Sequence, residues 1–344
     1  MSQKLKPTRR AALHASVLAA CLAFGSAANA GITFAFDYGA AGTNPLYDNA
    51  LGQTRKDALT TAGSLFSSYF GSLFTNAATI DFAVEGTDQS CAFGCTLAYA
   101  GSERVLNSPG FGGGEVVRQK LQGGGDLNGA ANDGVVGVNW GAPWELDPNV
   151  AVATPNLGNM DFFATLFHEF THALGFASVM SQTGSDFTNT GPLVGGIDVA
   201  GYWNKFDQFK TDCAGGSLID HLTWLTDSVL YDPASTRAMC LNGANAMAAN
   251  GGNEVALYAP GAFAPGSSGS HLDGVGVNLA AMMKYDRGFG VDEARTYNAI
   301  EIGVLKDLGY TAVVAGTVPE PGSIALVLAA LAGLTGLTIS RRKA

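Results

Sequence analysis

Basic side chains are scarce in this chain of 344 residues. It holds 19 Lys and Arg against 29 Asp and Glu, and seven of the basic residues lie near the two ends. The part between the ends keeps 12 basic and 28 acidic residues, which gives it a net charge near −16. Nucleic-acid binding needs a basic patch or stripe, and the chain has none to offset this acidity. The composition therefore argues against nucleic acid as a partner.

Cysteines are also few. The chain has five, and Cys21 lies in a segment that we expect to be removed, which leaves Cys91, Cys95, Cys213 and Cys240. An even number in an oxidising compartment predicts two disulfides, and the pairs Cys91–Cys95 and Cys213–Cys240 close the shortest loops. A Cys₄ zinc site is the alternative, but such a site usually shows two C-x-x-C pairs.

The first thirty residues have the order of a secretory signal peptide. Four basic residues come first, an apolar stretch at 11–24 follows, and the small residues Ala28 and Ala30 stand at the exit. A buried N-terminal helix is the alternative. We expect signal peptidase to remove residues 1–30 and the remaining chain to be exported.

The other end carries an apolar run that is short for a membrane helix. Pro319-Glu320-Pro321 precedes the run at 324–339, and Arg341-Arg342-Lys343 follows it. A spanning helix needs about twenty residues, and its basic flank stays in the cytoplasm. The tail, residues 317–344, resembles the PEP-CTERM sorting signal of Gram-negative bacteria that make exopolysaccharide. This resemblance implies recognition by an exosortase, transient membrane contact, and release or attachment at the cell surface or extracellular matrix. An ordinary C-terminal membrane anchor is the alternative.

Residues 31–316 remain for a folded body. Alternating apolar residues predict strands, and apolar residues at three- and four-residue steps predict helices. The predicted strands lie at 32–37, 78–84, 96–100 and 134–140, and the helices at 54–74, 161–175 and 295–308. Strands and helices without strict alternation predict an α+β domain, with a cleft between an N-terminal subdomain, 31–175, and a C-terminal subdomain, 176–316. The stretch 177–269 is rich in loops.

The segment His168-Glu169-Phe170-Thr171-His172 carries the predicted chemistry. On a helix, His168 and His172 are one turn apart on the same face, so that both imidazoles can reach one Zn²⁺. Glu169 then lies beside the metal and can act as general base towards a zinc-activated water. Two histidines that meet by chance on a core helix are the alternative. The chain without its signal has only four histidines, and two of them have this spacing.

A catalytic zinc normally has three protein ligands and one open position. No Glu occurs between Glu169 and Glu254, which argues against a thermolysin-like third ligand. The run from His168 to Gly175 matches the start of the metzincin pattern H-E-x-x-H-x-x-G-x-x-H, in which Gly175 would let the chain turn towards the metal. The last position of that pattern holds Ser178, a poor ligand, so His221 and His271 are the candidates.

His271 follows Gly269-Ser270, and Met282, Met283 and the run Asp307-Leu308-Gly309-Tyr310 come later. This order, over roughly 161–310, resembles leishmanolysin-type metzincins. The resemblance implies a metzincin-like zincin fold with a mixed twisted sheet and an active-site helix. It also implies that His168, His172 and His271 are the ligands of one catalytic zinc, that Glu169 is the base, and that Met283 or Met282 forms a floor beneath the metal. His221 stays open as the alternative ligand.

Three further expectations follow. Tyr285 could donate a hydrogen bond to an oxyanion, and the strand at 134–140 could pair with the substrate backbone as an edge strand. Asp133 and Asp147 could help to bind calcium, although acidic loop residues are usually only solvated.

The predicted function is an exported zinc metalloendopeptidase that acts on proteins or peptides. The alternatives are an inactive zincin-fold surface protein that binds matrix polysaccharide or protein, and zinc-dependent hydrolysis of another bond.

Overall fold

A computed structural model describes residues 31–310 apart from positions 75, 92–94, 107–108, 124, 150–157, 186–200, 228–229, 231–237, 277–279 and 287–293. The expected signal peptide at 1–30 and sorting tail at 317–344 lie outside the described residues. In the described part, no helix is both long and apolar enough to cross a membrane.

A four-stranded sheet forms the centre of the N-terminal half. Its strands are β1 (Ile32–Asp37), β2 (Ala78–Thr87), β3 (Ala98–Ser102) and β5 (Gly134–Asn139), in the order β1-β2-β5-β3. The first three strands in this order are parallel, and β3 runs antiparallel to β5 at the edge. The four predicted strands are therefore confirmed, with bounds shifted by up to three residues.

The expectation that residues 134–140 form an edge strand is wrong. β5 pairs with β2 on one side and with β3 on the other, so its backbone is already hydrogen-bonded in the sheet. The physical reason lies in its composition, because five of its six residues are buried, as is typical of an interior strand of a parallel sheet. The two edge strands of this sheet are β1 and β3.

Aromatic residues pack two long helices onto this sheet. These are α1 (Gly52–Phe70) and α3 (Phe162–Ala173), and a shorter helix α2 (Val116–Leu121) lies between them in the chain. Phe170 of α3 stacks on Phe34 with ring centroids 4.7 Å apart and meets Phe66 of α1 edge-on at 5.7 Å. Burying each such ring stabilises the fold by about 1.5–3 kcal/mol, which fixes α3 against the sheet.

The C-terminal half has much shorter elements. A three-stranded antiparallel sheet consists of β9 (Lys210–Thr211), β10 (Met239–Leu241) and β11 (Val255–Leu257). Helix α4 (Ala244–Ala249) packs on α5 (Ala299–Asp307).

The remaining described strands form two small parallel pairs. β4 (Gly110–Phe111) of the N-terminal half pairs with β8 (Tyr202–Trp203) of the C-terminal half, and β6 (Trp144–Glu145) pairs with β7 (Met160–Asp161) within the N-terminal half.

Both predicted disulfides are present. Cys91–Cys95 lies just before β3, and Cys213–Cys240 joins the end of β9 to β10. The second bond thus links two neighbouring strands of the three-stranded C-terminal sheet covalently. Buried residues of both halves form one core, and the fold class is α+β, as predicted.

Helix α5 begins later than predicted. Asn298 caps it through a capping box with Glu301, so the helix starts at Ala299 and not near residue 295. Arg295 lies before the helix, where it binds Asp161 at the start of α3 with an Nε–Oδ2 distance of 2.8 Å.

Candidate metal centre

Helix α3 holds two of the site's histidines in a rigid place. Its N-cap residue Asp161 accepts a hydrogen bond from the backbone N–H of Ala164 at 2.9 Å, and the same carboxylate binds Arg295. Ten of the twelve helix residues are buried. Because the helix is packed on most sides, His168 and His172 project from a fixed backbone.

Gly175 follows Leu174, the C-cap residue of α3, and the chain turns out of the helix there, as the sequence predicts. Its φ of +103° is a conformation that residues with a side chain rarely adopt. The turn brings the carbonyl of Phe176 within 2.7 Å of His172 Nδ1. The turn at Gly175 therefore does more than end the helix, because it places the carbonyl of Phe176 where it orients the ring of His172.

His271 reaches the same point from the C-terminal half. After β11, the N–H of Tyr258 donates to the carbonyl of His271 at 2.9 Å, and a bridge joins Leu257 to Leu272. The Nε2 atoms of His168, His172 and His271 then form a triangle with sides of 3.0, 3.0 and 3.1 Å. The rings of His168 and His271 are almost fully buried.

The partners of the other ring nitrogens determine the tautomers. Nδ1 of His168 faces the carbonyl of Met282 at 2.7 Å, and Nδ1 of His271 faces that of Ser267 at 3.0 Å. His172 faces Phe176 in the same way. A carbonyl only accepts, so each Nδ1 carries the proton and each Nε2 turns a lone pair to a common centre.

Three converging lone pairs are a ligand set. Tetrahedral ligands at about 2.0–2.1 Å from zinc lie roughly 3.3 Å from one another, within a few tenths of an ångström of the observed triangle. The buried three-histidine group can therefore hold a metal ion. Among the residues described, no other group of three or more His, Cys, Asp or Glu side chains is close enough to do so.

A cleft of about 590 Å³ opens onto this triangle. Glu169, partly exposed, lines it beside the histidines, and the residues of β3 from Ala98 to Ala100 form another wall. Tyr285 lines the same cleft and stacks on Tyr258 with ring centroids 3.6 Å apart. The charge of Asp286 raises the pKa of Tyr285, which further favours the protonated hydroxyl that can donate a hydrogen bond.

His221 lies elsewhere. It is exposed, its Nε2 lies 2.9 Å from the carbonyl of Gln208, and its ring packs edge-on against Phe111. The structure thus brings His271, and not His221, to His168 and His172.

Met282 and Met283 are fully buried, and their backbones link the site to α5. The carbonyl of Met282 orients His168, and the N–H of Met283 donates to Glu301 Oε1 at 2.6 Å. Sequence reasoning missed Glu301, although the spacing of Asn298 and Glu301 is a recognisable capping box. Whether a methionine side chain forms the floor of the site stays a prediction.

Asp133 and Asp147, the two residues expected to help bind calcium, have different partners in the described part of the chain. Asp133 is buried and binds Lys120 with an Oδ2–Nζ distance of 2.8 Å, and Lys120 also contacts Asp126 and Asp81. The lysine ammonium thus already supplies the cation for these carboxylates. Asp147 instead accepts a hydrogen bond from the N–H of nearby Asn149 at 2.8 Å.

No protein-family model, no curated protein and no solved structure matches the chain. The functional argument therefore depends on the geometry of the site and on the sequence motifs alone.

Proposed function

We propose that the protein is an exported zinc-dependent metalloendopeptidase of the leishmanolysin-like metzincin type. The observation that carries the proposal is the convergence of three Nε2 lone pairs beside Glu169 in an open cleft. Three neutral imidazoles are a typical protein ligand set of catalytic zinc, because they leave one coordination position for water or substrate. A zinc ion bound there would polarise a carbonyl and lower the pKa of a water molecule.

Glu169 is the group that moves protons in this proposal. It follows His168 on α3, is not a member of the three-histidine group, and lines the cleft onto which that group opens. From there the carboxylate can accept a proton from the attacking water and pass it to the leaving amine. A purely structural metal site would have no use for such a base.

The edge strand β3 favours a peptide as the substrate. β3 pairs with β5 on one side, and its residues line the cleft on the way to the histidines. An extended peptide can add to such an edge through main-chain hydrogen bonds, which any sequence offers. This strand replaces residues 134–140 as the proposed substrate-binding edge, with Tyr285 as a candidate donor to the oxyanion.

Export is part of the proposal. The two disulfides are consistent with an oxidising compartment. The expected signal peptide and sorting tail would place the enzyme outside the cytoplasm after contact with signal peptidase and an exosortase, where extracellular proteins are its substrates.

One experiment on the purified protein tests the proposal. We expect about one zinc per chain and cleavage of casein that a chelator abolishes. Glu169→Gln should keep the zinc and lose roughly 10²–10⁴-fold in rate, since general-base catalysis contributes that much. His221→Ala is the matched control and should keep both metal and activity. Full activity of Glu169→Gln would refute the mechanism, and zinc without any cleavage would favour the inactive binding protein.

A further inference from the structure

Ser178 stands where the metzincin pattern has its third histidine, and its hydroxyl serves another purpose. Its Oγ donates to Asp207 Oδ1 at 2.5 Å and accepts from Lys210 Nζ at 2.9 Å. Asp207 and Lys210 are each only 1% exposed, and their charged atoms lie 3.9 Å apart. Burial raises the pKa of Asp207 and lowers that of Lys210 to about 8. We call Ser178, which is half-buried at the cleft, and the two buried residues Asp207 and Lys210 the buried triad.

The buried triad is tied to the end of the active-site helix segment. The other oxygen of Asp207, Oδ2, accepts from the N–H of Val179 at 3.1 Å and from that of Asn204 at 3.2 Å. Ser178 Oγ also accepts from the N–H of Met180 at 3.1 Å. The chain that leaves α3 is thus held by side-chain hydrogen bonds where no strand or helix continues.

The same triad touches the loop that carries His271. The N–H of Ser178 donates to Ser270 Oγ at 3.2 Å, and Ser270 immediately precedes His271. Lys210 Nζ lies so close to Gly269 that a Cβ at that glycine would be 2.7 Å from it. Gly269 has a φ of +70°, so both space and backbone favour glycine there. Two of the three residues before His271, Gly269 and Ser270, are therefore in contact with the triad.

We propose that the buried triad is a positioning unit. It holds the ring of His271 at the right distance from those of His168 and His172 and thereby sets the affinity of the site for metal. The inference rests on the proposed function, because it requires that the three histidines bind zinc. The hydroxyl of Ser178 binds Asp207 and Lys210, while its backbone N–H binds Ser270 in the loop that carries His271.

The energetics favour a role beyond stability. A buried ion pair often contributes little net stability, since the cost of removing both charges from water offsets their attraction. The triad nonetheless supplies directed bonds to two segments that are 92 residues apart in sequence. Directed hydrogen bonds fix the relative position of the two segments. The metal affinity of a site depends strongly on that position, because its ligands must meet at one point.

The test measures zinc affinity of the full chain by competition with a chelator. We expect Asp207→Asn and Ser178→Ala to bind zinc about tenfold more weakly, in line with other residues that support metal ligands. Their cobalt-loaded forms should show an altered visible spectrum. Ser178→Thr, which keeps the hydroxyl, should restore both readouts. Ser178→Ala removes one oxygen but leaves its backbone bond to Ser270, so Ser270→Ala, which removes the acceptor of that bond, is measured beside it and should weaken zinc binding similarly. Both are small changes that test the proposal even where Asp207→Asn fails to fold.

Asp133→Asn is the matched control. Asp133 is likewise a buried aspartate paired with a lysine, Lys120, but it binds the backbone of β2 and not the histidine loop. We expect this variant to lose stability while its zinc affinity stays within about twofold of the parent. Unchanged zinc affinity in Ser178→Ala and Asp207→Asn would overturn the positioning role and leave the proposed function intact. A parent protein that binds no zinc would overturn the proposed function itself.

Discussion

The two halves of the molecule build the same site by different means. The N-terminal region, 31–175, supplies His168, Glu169 and His172 from a twelve-residue helix that packs on a four-stranded sheet. The C-terminal region, 176–310, supplies His271 from a loop, and in its described part no strand exceeds three residues. Apolar packing therefore fixes the first contribution, and polar or covalent bonds fix the second.

The difference follows from how backbone groups are satisfied. A helix or a sheet pairs its own N–H and C=O groups, so side chains are left to pack. Irregular segments must find partners for these groups elsewhere, and the C-terminal region finds them in Asp207, Ser178 and Glu301. Polar bonds of this kind specify position, which is what a distant third ligand requires.

The largest effect is expected from removing the single ligand of the C-terminal region. His271→Ala should abolish stoichiometric zinc binding, because losing a ligand costs more than the roughly 10–100-fold that losing a supporting residue costs. Zinc content after dialysis measures it, with His172→Ala as the equivalent change in the N-terminal region. If His221→Ala lost the metal and His271→Ala kept it, the two regions would not meet at the site described here.

The next effect separates apolar packing in the two regions. Phe170→Ala should cost about 3–5 kcal/mol of unfolding free energy, since the ring is fully buried against Phe34, Phe66 and Phe82. Phe206→Ala is the counterpart in the C-terminal region, where the buried ring packs on Phe176 at 5.1 Å. Denaturant unfolding of the metal-free protein gives both values. We expect a smaller loss of unfolding free energy for Phe206→Ala than for Phe170→Ala. Equal losses would contradict the idea that apolar packing contributes more in the N-terminal region than in the C-terminal region.

The same contrast explains what the sequence could predict. The strand at 32–37 and the helix around His168 were predictable because their apolar residues recur with a clear period and Asp161 caps the helix. The edge assignment of residues 134–140 was wrong although the signal was present, since Gly134 to Asn139 is almost continuously apolar or small, as an interior strand is.

In the C-terminal region, strands of two or three residues are too short to show any period. The motif around His271 was visible, but its supports were not. Ser178 meets Ser270 and Glu301 meets Met283 only after the chain has folded, and no local pattern marks such pairs. Sequence could therefore predict the three histidines that come together better than the bonds that hold them in place.

Removing each disulfide compares the covalent support of the two regions. The Cys213–Cys240 bond closes a loop of 27 residues, and Cys91–Cys95 closes one of 4. Loop-closure entropy predicts losses of about 3.5 kcal/mol for the double variant Cys213→Ala/Cys240→Ala and about 2 kcal/mol for Cys91→Ala/Cys95→Ala. Calorimetric melting of each variant would show the order. A reversed order would mean that the short loop before β3 constrains the fold more than the small C-terminal sheet does.

The smallest effect concerns a polar group buried in the N-terminal region, where apolar packing prevails. Tyr47 is 2% exposed, and its hydroxyl donates to the carbonyl of Glu85 and accepts from Trp140 Nε1. Burial raises the pKa of Tyr47 from 10 to about 12. Between these values the folded chain keeps a proton that the unfolded chain releases. Stability should therefore fall as pH rises from 10 to 12, by about 2 kcal/mol from this group.

Tyr47→Phe tests this titration against a baseline in the same protein. At pH 8 the variant should be about 1 kcal/mol less stable than the parent, because two hydrogen bonds are lost. Above pH 10 its stability should fall less steeply, so the two curves approach each other and then cross. Urea unfolding at a series of pH values measures both. Parallel curves from pH 8 to 12 would mean that the hydroxyl of Tyr47 titrates alike in the folded and unfolded chains, so that burial does not raise its pKa.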